Sequence, residues 1–123
     1  MKTKNQWLPA FLLLMSISCV DHDLAGVIQV DCSTQGAVSY VNDIQTIINT
    51  SCAIVGDGGC HDGGNGPNLN WKEFTNLKNN ASDVKDRVTR APGAAGKMPK
   101  IGTLTDEEIT KLVCWVEQGA LEN

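Results

Sequence analysis

Apolar positions fall into a helical rhythm at four places along the chain, and stretches without rhythm separate them. From Ser39 onward Val41, Ile44, Ile47 and Ile48 recur at helical spacing, with Ser39 placed as an N-cap, so the pattern predicts a helix that ends before Cys52. Asn70, followed three residues later by Glu73, predicts a capped start, after which Trp71, Phe74 and Leu77 share one side of a short helix. Ser82 with Asp83 opens a third helix, with Val84 and Val88 one turn apart. The last is the best marked: Thr105 and Glu108 form a capping box, and Asp106, Glu107 and Glu108 complement the helix dipole. Ile109, Leu112, Val113 and Val116 then make its core stripe, and Gly119 stops it.

The intervals are loops. Gly56 to Gly66 is dense in Gly and Asp, and a loop of that length calls for a functional reason. Ala91 to Thr103 holds Pro92, Gly93, Gly96, Pro99 and Gly102 and reads as extended. Val20 to Ala37 keeps no period apart from a strand-like run at Val27 to Val30, so it reads as a tether. The fold class expected is all-α, about four short helices joined by long loops, without a convincing sheet or an internal repeat.

The start of the chain has a different character. Lys2 and Lys4 precede an apolar stretch from Trp7 to Met15, too short to span a bilayer, and Ser16-Ile17-Ser18 leads into Cys19. This resembles a bacterial lipobox, which implies cleavage before Cys19 and lipid attached to it; ordinary secretion is the alternative. The expected division is a lipoprotein signal peptide at 1–18, a lipid-anchored tether at 19–37 and a domain at 38–123. Such a chain would sit in the cell envelope, facing the periplasm or the surface, held to a membrane through the acyl chains on Cys19. With two Phe, one Tyr and three Trp among 123 residues, bulky apolar filling is scarce, and a buried cofactor would supply core. The net charge of −4 becomes more negative once Lys2 and Lys4 leave, which argues against nucleic-acid binding.

The chemistry concentrates in Cys52-Ala-Ile-Val-Gly-Asp-Gly-Gly-Cys60-His61, an expanded form of the cysteine, cysteine-histidine pattern through which haem is attached by thioethers. A cysteine bonded to the ring places the next residue beside it, so the His61 imidazole can reach the iron. The usual gap is two residues and this chain has seven, but Gly56, Gly58 and Gly59 can fold the surplus into a bulge. The alternative is a Cys52–Cys60 disulfide closing a small loop, with His61 solvated. His22 lies on the tether, so His61 is the only histidine of the domain, and Met98 is the only methionine after the leader. Met98 lies in Gly96-Lys97-Met98-Pro99, the kind of loop that delivers a thioether over a haem face; His/Met ligation raises the iron potential and suits electron transfer. A ligating imidazole normally donates its other N–H to a fixed acceptor, and the Pro67 carbonyl is a candidate, with a simple turn as the alternative.

Together the first helix, the cysteine-histidine site, Gly66-Pro67-Asn68-Leu69, the Met98 loop and the last helix resemble the class I cytochrome c family, and in particular small mono-haem lipoproteins of bacteria. The resemblance implies one haem c held by Cys52, Cys60, His61, Pro67 and Met98. It also implies iron ligation by His61 and Met98, and first and last helices that cross. Assigning Cys19 to lipid and Cys52 and Cys60 to haem leaves Cys32 and Cys114 as a candidate disulfide, with two buried thiols as the alternative. The function expected is a monomeric single-electron carrier serving a redox partner protein, not an enzyme. The alternatives are a haem sensor or peroxidase-like protein with an open iron position, and a haem-free, disulfide-stabilised envelope lipoprotein.

Overall fold

The computed structural model describes residues 26–54, 61–66 and 69–123. The leader and Cys19 lie outside them, as do Cys60 and Pro67. The described residues are helical without a β-strand, in agreement with an all-α chain. None of their helices is long and apolar enough to cross a membrane.

The first helical run has three consecutive pieces: a π-helical turn at Tyr40–Ile44, α1 at Gln45–Ile47 and a second π-helical turn at Ile48–Cys52. Ser39 caps it as expected, its hydroxyl accepting the Asn42 N–H while the Asp43 carboxylate accepts the Ser39 N–H at 3.0 Å. The wide turns correct the predicted face. Mixing them with α geometry brings the winding to about four residues per turn, so positions spaced by four align. Tyr40, Ile44, Ile48 and Cys52 all point into the core, while Val41 is 56 % exposed. The run also includes Cys52 instead of stopping before it.

The second and third helices start elsewhere than predicted. α2 is Phe74–Asn79, and Glu73 precedes it without a side-chain cap. Asn70 instead forms an isolated bridge with Asp62, which holds Trp71 outside the helix. After the single residue Asn80, α3 runs Ala81–Thr89, with Ser82 and Asp83 inside its first turn. Asn80 keeps its side chain on the preceding helix, donating Nδ2 to the Asn76 carbonyl at 2.7 Å, so it closes α2 and does not cap α3. Val84 and Val88 are buried as their spacing implies.

α4, Asp106–Glu117, carries both halves of the Thr105–Glu108 capping box. Trp115 joins Ile109, Leu112 and Val113 in its buried face, while Val116 packs at the margin. The helix ends in a Schellman motif. Gly119 at φ +96° donates to the Val116 carbonyl, and Ala120 donates to Trp115. α4 packs on one side against the first helical run, where Tyr40 stacks on Trp115 at 6.2 Å between centroids, and on the other against α3.

The segment ahead of Val38 lies along the domain. Ile28, Val30 and Cys32 pack against the core, and Ile28 donates to the Thr89 carbonyl at 2.7 Å. The strand read at Val27 to Val30 reduces to one isolated bridge, Val27 to Arg90. Cys32 and Cys114 form a disulfide with Cα atoms 5.4 Å apart, fixing this segment to the middle of α4.

Candidate functional site

His61 sits where two strings of backbone hydrogen bonds meet. Its N–H donates to the Cys52 carbonyl at 2.8 Å, and its own carbonyl accepts the Trp71 N–H at 2.9 Å. The backbone of His61 therefore lies against that of Cys52, nine positions earlier. Beyond His61 the chain turns tightly: Asp62 Oδ1 accepts the Gly64 N–H, and Gly63 at φ +97° bonds through its carbonyl to Gly66 N–H. The Asp62–Asn70 bridge then returns the chain beside its start.

The return places Trp71 flat against the imidazole, with centroids 3.4 Å apart and planes within 8°. This partner was not singled out as a neighbour of the histidine, because its place ten positions away depends on the Asp62–Asn70 pairing. Trp71 is only 4 % exposed, and its Nε1, His61 Nδ1 and Asn70 Oδ1 are all buried without a hydrogen bond among the described residues. Buried polar atoms of this kind call for partners, which a ligand's polar edge would supply. Burial holds the His61 pKa below its usual 6.5, and the Arg87 guanidinium lowers it further. The imidazole is thus kept neutral at physiological pH, the form that ligates a metal.

Met98 returns to the backbone of α3. Its N–H donates to the Arg87 carbonyl at 3.1 Å, and its side chain lines a cavity of about 360 Å³ with Ile28, Lys97, Leu104, Asp106 and Ile109. Lys97 extends its ammonium to the Val88 carbonyl, and burial lowers its pKa. Arg87 is the common neighbour of the two candidate ligands: its carbonyl holds Met98 and its charge acts on His61. His61 is not part of the wall of the Met98 cavity.

Cys52 is buried in the hydrophobic core beside Ala53, with its carbonyl on His61. Trp115 and Phe74 pack on Tyr40, Trp71 stacks on His61, and Ile109 lines the Met98 cavity. No three His, Cys, Asp or Glu side chains among the described residues form a metal-binding cluster. A thioether and one imidazole would thus have to act with donors from a cofactor. Haem is such a cofactor, and the neutral imidazole with its orphaned buried nitrogen suits it, whereas the cavity with the thioether on its wall does not include that imidazole. No protein-family model, no curated protein and no solved structure matches this chain.

Proposed function

We propose that this protein is a single-electron carrier with one covalently bound haem c, exported to the bacterial cell envelope, anchored through lipid on Cys19 and passing electrons to a partner protein. The observation that carries the reading is the bond from His61 N–H to the Cys52 carbonyl, which brings the first cysteine of the motif to the residue that follows the second. A two-residue gap achieves this by shortness; here the hydrogen bond between His61 and Cys52 supplies it. The Cys32–Cys114 disulfide accords with an oxidising compartment.

In this reading Cys52 and Cys60 would hold the haem, and His61 and Met98 would ligate its iron. Haem supplies an iron that cycles between two oxidation states. The chain's own residues do the rest. Trp71 fixes the plane of the imidazole, burial keeps that imidazole neutral, and the Arg87 carbonyl holds the Met98 backbone. His61 Nδ1 awaits an acceptor to orient it, the role proposed for the Pro67 carbonyl.

The test is a visible spectrum of protein matured alongside functioning haem-attachment machinery. A c-type spectrum with a methionine-to-iron charge-transfer band, lost in Met98→Ala while the haem stays attached, is the expected result. Covalent haem without that band points to an open iron position. A colourless protein points to the haem-free lipoprotein, a reading favoured by a core in which Trp115, Leu112, Ile44 and Leu77 already pack without solvent.

A further inference from the structure

Charge is spread unevenly along the chain. From Arg87 to Thr105 it carries four cations, Arg87, Arg90, Lys97 and Lys100, and no Asp or Glu, although the net charge of the whole is −4. Of the acids that flank this stretch, Asp86 is held by Arg90, and Asp106 lines the Met98 cavity together with Lys97. Arg87, Lys97 and Lys100 make no ion pair among the described residues; Lys97 turns to the Val88 carbonyl, and Lys100 is exposed. Next to Lys100, Ile101 is 58 % exposed, more than any other large apolar side chain among the described residues.

The chain ahead of the domain arrives at this same loop. Val27, itself exposed, bridges to Arg90, and a Cβ on Gly26 would lie 3.1 Å from the Ala91 Cβ. Ile28 shares the cavity wall with Pro92, Gly93 and Gly102, so the entering chain, the start of the loop and the residues around Ile101 stand on one rim. Gly26 comes seven residues after Cys19, a span of at most about 25 Å. The other two exposed large apolar side chains, Val41 and Leu121, instead lie within two residues of an acid, Asp43 and Glu122.

We propose that the 91–103 loop is a docking face for an anionic phospholipid bilayer, with Ile101 and Val27 as its apolar contacts and Lys100, backed by Lys97 and Arg87, as its charge. The proposal rests on the lipid anchoring at Cys19 and needs no haem. A chain of negative net charge is repelled by such a bilayer unless it turns its basic side towards it, and each Lys or Arg brought to the surface shifts the balance towards contact about fivefold. The short tether keeps the face in reach at high effective concentration, so a few such residues suffice.

The experiment is amide hydrogen exchange of the acylated protein in vesicles of phosphatidylcholine alone or mixed with phosphatidylglycerol. Peptides covering 92–103 should exchange about fivefold more slowly on the anionic vesicles than on the neutral ones, and peptides covering 118–123 alike on both. Lys100→Glu should abolish the difference, and Ile101→Ser should reduce it about threefold. Both side chains are exposed, so the denaturant midpoints of these variants should match the wild type. Lys78→Glu makes the same change of charge on a lysine that lies over Phe74, beside Tyr40 and Trp115 at the other end of α4, and should leave the difference intact. In acylated protein, slowing that is absent, or equal on both lipids, overturns the docking face and leaves the anchoring standing; so does a loss in Lys78→Glu as large as in Lys100→Glu. A Cys19 peptide whose mass shows no acyl chain overturns both.

Discussion

At the scale of single residues, the features that matter most are polar atoms placed where water cannot reach. Trp71 is an example: its ring covers the His61 imidazole while its Nε1 has no partner among the described residues, so its side chain is held by packing and its backbone by the bond to the His61 carbonyl. Trp71→Ala should destabilise the fold by roughly 3 kcal/mol or more in urea unfolding, and Trp71→Phe by less, since it keeps an aromatic face on the histidine. Asp43 makes a different contribution. Its carboxylate accepts the Ser39 N–H and pairs with Lys111 at 3.2 Å, and these contacts, the first being larger, hold its pKa below 3.8. Because the folded-state pKa is depressed, this stabilisation is complete above about pH 3.8 and is lost as pH falls through the folded value. Denaturant midpoints of wild type and Asp43→Asn should therefore differ at pH 7 and converge on the acid side.

At the scale of elements, sequence signals were legible where a helix end is written in its own side chains. Ser39, the Thr105–Glu108 box and Gly119 all cap as their types and spacing imply, because each of these bonds is local. Asn70 and Ser82 carry the same kind of signal and cap nothing. Asn70 is drawn into pairing with Asp62, and Asn80 lets α3 begin one residue before Ser82. The π-helical turns were not legible either, since the shift from Val41 to Tyr40 becomes favourable only when Trp115 and Phe74 offer the tyrosine a packing site. Thr105→Ala should cost about 1 kcal/mol in chemical denaturation, as the hydroxyl accepts the Glu108 N–H and the box loses one of its two bonds.

At the scale of the whole molecule, α4 is the element around which the rest is arranged, and the disulfide ties the chain ahead of the domain to its centre. Cys32 and Cys114 were a candidate pair in the sequence, whereas the docking of residues 26–32 was not foreseen, since the strand-like run at Val27 to Val30 was read as part of a tether although its alternate positions Ile28, Val30 and Cys32 pack on the core. With a sequence separation of 82, replacing both cysteines by alanine should lower stability by about 2 to 5 kcal/mol, read from the denaturant midpoint under oxidising conditions. The same change should loosen Ile28 from the Met98 cavity, so that its amide, now bonded to Thr89, exchanges faster. His61 and Met98 stood out as residue types, the one histidine of the domain and the one methionine after the leader. That both have Arg87 as a neighbour was not legible, because it arises only when their segments fold back onto one helix.

The claim on which the account turns is that the Cys60-His61 segment carries haem through a covalent bond. Intact mass of the envelope-matured protein, recorded after denaturation so that any loosely held cofactor is stripped away, tests it directly. The account predicts the polypeptide plus one haem, with the added mass mapping to the peptide that contains Cys52, Cys60 and His61. A denatured chain at bare polypeptide mass, from cells whose other c-type cytochromes mature normally, would contradict it.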